Sequence, residues 1–374
     1  MDLATRETDV GDVATVNQIV STKQVGKIVT DDAIFYFKTC FLILLGALSS
    51  MGVTTNIMNI TVYWKQGIRD SINITFMALS MWDLNTCLMS GLSAVSNILE
   101  IYVPGSDVSF IAIQYVYFGY TRGFMYVLST LVTSYLSLER SICIMFPFKV
   151  KSIFTAGRVV LINFITALFG LVCYCPAWAT QGVQWVFNPK NNRTRLVYWL
   201  SENRRDIDLF VDTFNGMVLP LLAQLLITIS AVFMIHGVQK SAKFRNQTVD
   251  IKTPVISTSN REPPPISNAS LSLKKSKIMT SKDIRLTKVV ILITIIFFAC
   301  NLPVFVVAFL RWLIPDLDIG KPQQNLYAVL YAFVYLFGVI NSSVNIFVYY
   351  NVGTKYRQEF LRLVHSIACV LKKQ

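Results

Sequence analysis

Charge is scarce in this chain. Asp, Glu, Lys and Arg supply 15% of its residues and hydrophobic types 53%, a balance that excludes an ordinary water-solvated globule and points to a membrane-embedded protein. Histidine is scarcer still: His236 and His365 are the only two, with no nucleophile or metal cluster beside them, which argues against an enzyme. The cysteines Cys40, Cys87, Cys143, Cys173, Cys175, Cys300 and Cys369 all fall in apolar runs or in the tail. None lies in a segment read below as extracellular, so no outer disulfide is expected, and Cys173 and Cys175 lack the partners of a metal site. Met1 to Asp32 has no apolar core of a secretory signal, so the first span is expected to serve as its own signal anchor. The net charge of +13 sits in linkers between apolar runs rather than on one basic domain, which fits a membrane protein and no nucleic-acid partner.

Apolar runs are what the chain has in abundance. Windows long enough to cross about 30 Å of hydrocarbon at about 1.5 Å per residue occur at Ile34–Tyr63, Asn73–Ile98, Ile111–Phe146, Arg158–Trp178, Phe210–Ile235, Val289–Ile314 and Leu326–Tyr350. Seven spans put the termini on opposite sides, and the bases decide which is which. Lys65 and Arg69 follow span one, Lys149, Lys151 and Arg158 follow span three, and a cluster from Lys240 to Arg285 follows span five; the tail adds Lys355, Arg357, Arg362, Lys372 and Lys373. Acids outnumber bases before span one, and the linker after span two has no Lys or Arg. The N-terminus is therefore expected outside and the C-terminus inside, with the basic fourth linker (Lys190, Arg193, Arg195, Arg204, Arg205) forced outside by the other counts.

The expected organisation is an extracellular tail over 1–33, a seven-span domain over 34–350 with a disordered cytoplasmic loop over 237–285, and a tail over 351–374. The loop carries Pro254 and Glu262 followed by three prolines among many Ser and Thr, with a basic margin near each span that can continue the helix. Asn192-Arg193-Thr194 is a glycosylation acceptor in the fourth linker; the same pattern at Asn73, Asn246 and Asn268 falls in or facing the cytoplasm. Beyond Gly353, Tyr356, Phe360, Leu363 and Ile367 recur on one helical face, which predicts a short amphipathic helix on the inner lipid surface. Cys369 near its end is either a palmitoylation site or an unmodified thiol.

Polar residues within the spans are the functional candidates, because each is costly in a bilayer without partners. Asp83 is the only acid deep in a span, and Asn56, Ser129, Asn341, Ser342 and Asn345 are available to meet it. The set reads either as a Na⁺ or proton site or as a network that holds helices together. Glu139 and Arg140 close span three ahead of Pro147 and read either as a helix-end ion pair or as a functional site. Arg122 lies 18 residues before Arg140, roughly five helical turns and about 27 Å along the same face, with Ser129 between them. In the outer part of the bundle Arg122 either pairs with Glu100 or another acid, or lines a cavity for an acidic or carboxylate-bearing ligand. Pro220 and Pro303 interrupt spans five and six, as kinks or as pivots.

These residues together resemble the rhodopsin-like (class A) family of G-protein-coupled receptors from Ile34 to Phe360. The resemblance rests on Asn56, on Ala78 to Asp83 in span two, on Glu139-Arg140-Ser141 with Pro147, on Pro220, on Phe297 with Cys300, Asn301, Leu302 and Pro303, and on Asn345 to Tyr349. The wording of Asn341–Tyr350 and Leu138–Ile144 is most similar to molluscan chemosensory receptors and, more distantly, to invertebrate FMRFamide-type peptide receptors. It implies an all-α membrane protein, a seven-transmembrane helix bundle with a short amphipathic eighth helix, in the plasma membrane. It further implies a small-molecule or peptide ligand outside, contacted by Arg122, Tyr115 and Asn301, and a heterotrimeric G protein inside. Glu139 would restrain Arg140, with Tyr349, Pro303 and Phe297 in the switch, while Asp83, Ser129, Asn341 and Asn345 would form a sodium pocket, no other cofactor being implied.

Several positions depart from the family pattern. Tyr115 stands where the outer end of span three carries its disulfide Cys, and Ala179–Asp208 has none either, so the loop is expected to be less constrained. Asn301 replaces the toggle Trp, Ile346 the Pro of span seven, Thr228 a Tyr of span five, Thr130 an Ile of span three, and Ser141 the motif's Tyr. Arg122 in place of an Asp argues against an amine ligand, and Val339 in place of a Lys against retinal. A seven-helix transporter or ion pump is the alternative, disfavoured by the lack of an internal repeat and by the single deep acid.

Overall fold

The computed structural model describes residues 27–146, 153–189, 192–250, 281–318 and 320–371. Among these residues the chain forms eight helices and one hairpin. Helix α1 spans Asp31–Gln66, capped by Thr30, whose Oγ1 accepts from the Ala33 amide (3.3 Å). Helix α2 is Ser71–Tyr102. Helix α3 runs continuously through Phe110–Ile113, a wider π-helical turn at Gln114–Gly119, and Tyr120–Met145. Helix α4 is Ala156–Ala179. Strands β1 (Gln181–Asn188) and β2 (Arg193–Leu200) pair antiparallel. Helix α5 joins Arg204–Phe210, a π-helical Val211–Val218 and Leu219–Asp250; the widened turn lies immediately before Pro220, which has no amide hydrogen to offer the preceding turn. Helix α6 is Ser281–Leu313 with Pro303 inside it, α7 is Gln324–Ser343 continued by Asn345–Val352, and α8 is Thr354–Leu371.

Helices α1, α4, α5, α6 and α7 are long and apolar enough by composition to cross a membrane. Helix α2, at 32 residues, is long enough but diluted by Asp83, Thr86, Ser90, Ser93 and Ser96, all buried. The bundle hides its polar residues and shows its apolar ones: on α4, Val160, Leu161, Phe164, Ile165, Leu168 and Val172 are each at least 50% exposed. Water would not tolerate that face, whereas hydrocarbon does. Small residues bring helices together: a Cβ on Gly52 of α1 would run into Cys87 Sγ of α2 and Ser343 Oγ of α7.

Among the linkers and the tail, one sequence expectation changes. Helix α5 continues to Asp250 and α6 begins at Ser281, so the basic margins of the 237–285 loop are helical, as expected; Gln239 to Gln247 is rich in helix-forming residues and has no proline. Pro254 and the prolines after Glu262 lie outside the described residues, as do 1–26 of the N-terminal tail, Pro147, Lys149, Lys151 and Asn268. The fourth linker is not a loose loop but a hairpin held to the bundle. Helix α8 starts where expected, because a Cβ on Gly353 would meet the Tyr349 carbonyl at 2.6 Å, so the chain can turn there only without a side chain. Tyr356, Phe360 and Leu363 of α8 pack on the bundle core, whereas Ile367 is exposed with Leu361, Val364 and Val370, leaving a second apolar row for lipid.

Candidate functional site

The polar residues of the spans converge in three layers. In the middle, Asp83 of α2 is fully buried. Ser129 Oγ of α3 donates to its Oδ1 (2.6 Å) and Asn345 Nδ2 of α7 to its Oδ2 (2.8 Å), so three helices meet on one carboxylate. No base pairs with it among the described residues. Asn341, buried in the same helix as Asn345, makes no hydrogen bond to it, whereas the buried Ser342 Oγ has no hydrogen-bond partner. A buried carboxylate without a cation, beside hydroxyl and amide oxygens, has the hard-oxygen chemistry that fits Na⁺. Alongside, Asn56 Nδ2 donates to the carbonyls of Gly52 (2.9 Å) and Ser342 (2.7 Å). Asn59 Nδ2 donates to Asn56 Oδ1 (3.3 Å), and the Tyr356 hydroxyl to Asn59 Oδ1 (2.6 Å). Burial pushes the Tyr356 phenol up from its ordinary value, which keeps it protonated as that donor.

At one end, Arg140 Nη2 donates to Glu139 Oε1 (2.8 Å), both side chains being buried, and Ser71 Oγ of α2 adds a weaker bond to the same oxygen (3.3 Å). Glu139 Oε2 and Arg140 Nε have no partner. Close by, Ser137 Oγ of α3 and Thr294 Oγ1 of α6 lie 3.3 Å apart. Tyr349 packs in an aromatic cluster with Tyr63 (ring centroids 5.3 Å), Phe76 (5.1 Å) and Tyr356 (5.4 Å), its hydroxyl buried and unbonded. Phe297 is buried in α6, one turn before Asn301.

At the hairpin end, the Arg122 guanidinium lies 3.7 Å from the centroid of Tyr335 of α7. It makes no hydrogen bond or ion pair among the described residues, and its Nε is buried without a partner. The alternative that pairs it with Glu100 is corrected: Glu100 is taken by Arg195 of β2 (2.9 Å) and accepts from the Phe110 amide (2.7 Å). Asn301 is buried one layer deeper, its Oδ1 accepting from the Tyr126 hydroxyl (2.9 Å) and its Nδ2 donating to the Phe297 carbonyl (2.8 Å). Tyr115 lies between Tyr120, which it meets edge to face (5.8 Å), and the tilted ring of Tyr198 of β2 (5.5 Å).

The hairpin is therefore fixed without a disulfide; all seven cysteines are free. Gln181 Nε2 donates to the Val116 carbonyl (2.8 Å), the Leu196 amide to the Asp107 carbonyl (2.7 Å), and the Ser109 amide to the Leu196 carbonyl (3.1 Å). Arg204 at the start of α5 is buried; it donates to Asp208 (2.8 Å) and to the carbonyl of Ala177 at the end of α4 (2.7 Å), and lies 4.6 Å from the Tyr120 ring. The expectation of a less constrained loop is thus overturned by polar and aromatic contacts at the position where the family uses sulfur. Asn192 sits exposed at the hairpin tip with φ 51°, a left-handed geometry asparagine accepts readily. Cys369 is exposed on α8, its Sγ 3.6 Å from His365 Nδ1.

The sequence model of the family described as 7 transmembrane receptor (rhodopsin family) matches residues 55–349. The chain belongs to that family. Comparison with curated proteins gives no match. The receptor is thus a multi-pass membrane protein of G-protein-coupled signalling, in a family of ligand-binding receptors and not of enzymes, and nothing favours the transporter or pump alternative. Residues that the sequence did not single out are Ser71, Asn59, Tyr126, Tyr335 and Arg204. Their partners lie largely on other helices, at registers that a single sequence does not reveal.

Proposed function

We propose that this receptor sits in the plasma membrane with its N-terminus outside and its C-terminus inside, binds an acidic small molecule or peptide at the hairpin end, and activates a heterotrimeric G protein at the Arg140 end. The observation that carries the ligand class is Arg122, a cation inside the bundle held only by the Tyr335 ring. An unpaired guanidinium in a low-dielectric site favours a carboxylate that can complete its hydrogen bonds. Tyr115 and Asn301 would line the same space, one above and one below. A chemosensory or neuropeptide role is supported by the wording of Asn341–Tyr350, similar to molluscan chemosensory and FMRFamide-type receptors.

Glu139 would hold Arg140 in the resting arrangement, and Phe297, Pro303 and Tyr349 would take part in its release. Ligand and G protein would act as a population shift, each favouring the same helix arrangement. Asp83, Ser129 and Asn345, with Asn341 nearby, would hold an allosteric Na⁺. The domain limits would be a tail over 1–33, the bundle over 34–350 and the α8 segment over 351–374, lying on the inner lipid surface with Cys369 as an acylation site. The test is a screen of the expressed receptor against carboxylate-bearing small molecules and peptides with a promiscuous G protein. An agonist from that set supports the reading; activation only by neutral or cationic compounds overturns the ligand class.

A further inference from the structure

We propose that the cavity between α3, the end of α4 and the start of β1 binds an uncharged molecule bearing a hydroxyl or a primary amide. Val116, Tyr117 and Thr121 of α3, Trp178 of α4, and Gln181 and Gly182 of β1 line it. Two of these carry complementary unmet groups: the Trp178 Nε1 donor and the Gln181 Oε1 acceptor are buried with no hydrogen-bond partner. Both side chains are held in place. Gln181 is 6% exposed and its Nε2 donates to the Val116 carbonyl (2.8 Å), while the Trp178 indole meets Phe124 edge to face (ring centroids 5.3 Å). A buried donor and a buried acceptor left unpaired are each costly, and a hydroxyl or amide answers both, accepting from the indole and donating to the Gln181 oxygen.

Size and charge narrow the occupant. The volume of about 370 Å³ falls in the range of about 300–1,000 Å³ typical of ligand pockets and far exceeds the roughly 30 Å³ share of a single water. Among the lining residues none is charged, so an ion would enter without a counter-charge and lose its hydration. Tyr117 is 51% exposed, which leaves the cavity open to its surroundings. Thr121 directly precedes Arg122, yet successive residues of a helix point about 100° apart, so the cavity lies on a different face of α3 from the guanidinium. Binding here is independent of the acidic ligand proposed for Arg122. An occupant would touch α3, α4 and β1 together and so brace the hairpin on the bundle.

The test uses the full-length receptor in phosphatidylcholine nanodiscs and fluorine NMR, with para-trifluoromethylbenzyl alcohol and para-trifluoromethylbenzamide as probes. Their hydrocarbon counterpart, para-trifluoromethyltoluene, reports partition into lipid. Saturable line broadening above that in empty nanodiscs is expected for at least one of the two probes and not for the toluene, with a higher thermal midpoint of the receptor when that probe is present. Trp178→Phe, which removes the donor and keeps a ring, should weaken binding about tenfold. Thr121→Leu, which fills the cavity from α3, should weaken it at least as much. Trp312→Phe, exposed on α6 outside the cavity, should leave it unchanged, and thermal unfolding without probe checks that each variant is folded. Equal broadening by the toluene, or equal binding to the native chain and Thr121→Leu, overturns the proposal in favour of lipid partition or another site. Absence of broadening by both probes also overturns it and assigns the two unpaired atoms to ordered water.

Discussion

Arg122, partly buried, and Asp83, fully buried, are ionisable groups with no opposite charge beside them among the described residues, and the two make different demands. Arg122 gains only a ring contact, worth about 0.5–2 kcal/mol, against the larger cost of its unbonded Nε. Replacing it by Ala should weaken an acidic agonist by about 2–5 kcal/mol, read as a shift in the dose response, and leave a neutral agonist almost unaffected. An unchanged response to the acid would assign Arg122 to structure. Asp83 is bonded by Ser129 and Asn345 but has no basic partner among the described residues. Sodium chloride should raise the thermal stability of the purified receptor above that in choline chloride, and Asp83→Asn should abolish the difference. An equal salt effect in both proteins would place the network in helix packing alone. Asp83 was legible because a lone acid in an apolar run is conspicuous. Tyr126, the partner of Asn301, was not, because an aromatic in a span is ordinary until the facing helix is known.

At the level of elements, the hairpin carries the clearest departure from the family pattern. Its signal was present in the sequence: Val183, Trp185 and Phe187 alternate, and Asn188 to Asn192 is rich in turn residues. Arg204 ties the end of α4 to the start of α5 and faces Tyr120 of α3, a set of contacts that replaces a covalent link. Reducing agents should therefore leave both thermal stability and ligand response unchanged. Arg204→Gln should lower stability by about 1–3 kcal/mol and weaken ligand response, as seen in thermal unfolding and binding. Loss of response on mild reduction would contradict the noncovalent anchor. Pro220 and Pro303 were legible as interruptions of spans five and six, and the π-helical turn of α5 lies just before Pro220, whereas the π-helical turn of α3 has no proline beside it to announce it.

For the whole molecule, periodicity and the distribution of bases gave the seven spans and the eighth helix, because hydrocarbon imposes the same length and polarity limits on every crossing. The layered polar network was not legible as a network, since it depends on which faces meet. The proposed orientation predicts that Asn192, exposed at the hairpin tip, carries a glycan: Asn192→Gln should remove a glycosidase-sensitive mobility shift in protein from a eukaryotic host. A shift that persists would send the glycan to another site or reverse the topology. The central claim is that the Glu139–Arg140 pair restrains a G-protein switch, and basal nucleotide exchange on a purified G protein tests it most directly. Receptor in vesicles, at matched incorporation, is compared as the native chain, Glu139→Gln and Arg140→Ala. The account predicts faster exchange with Glu139→Gln and none above the receptor-free rate with Arg140→Ala; equal rates for all three would contradict it.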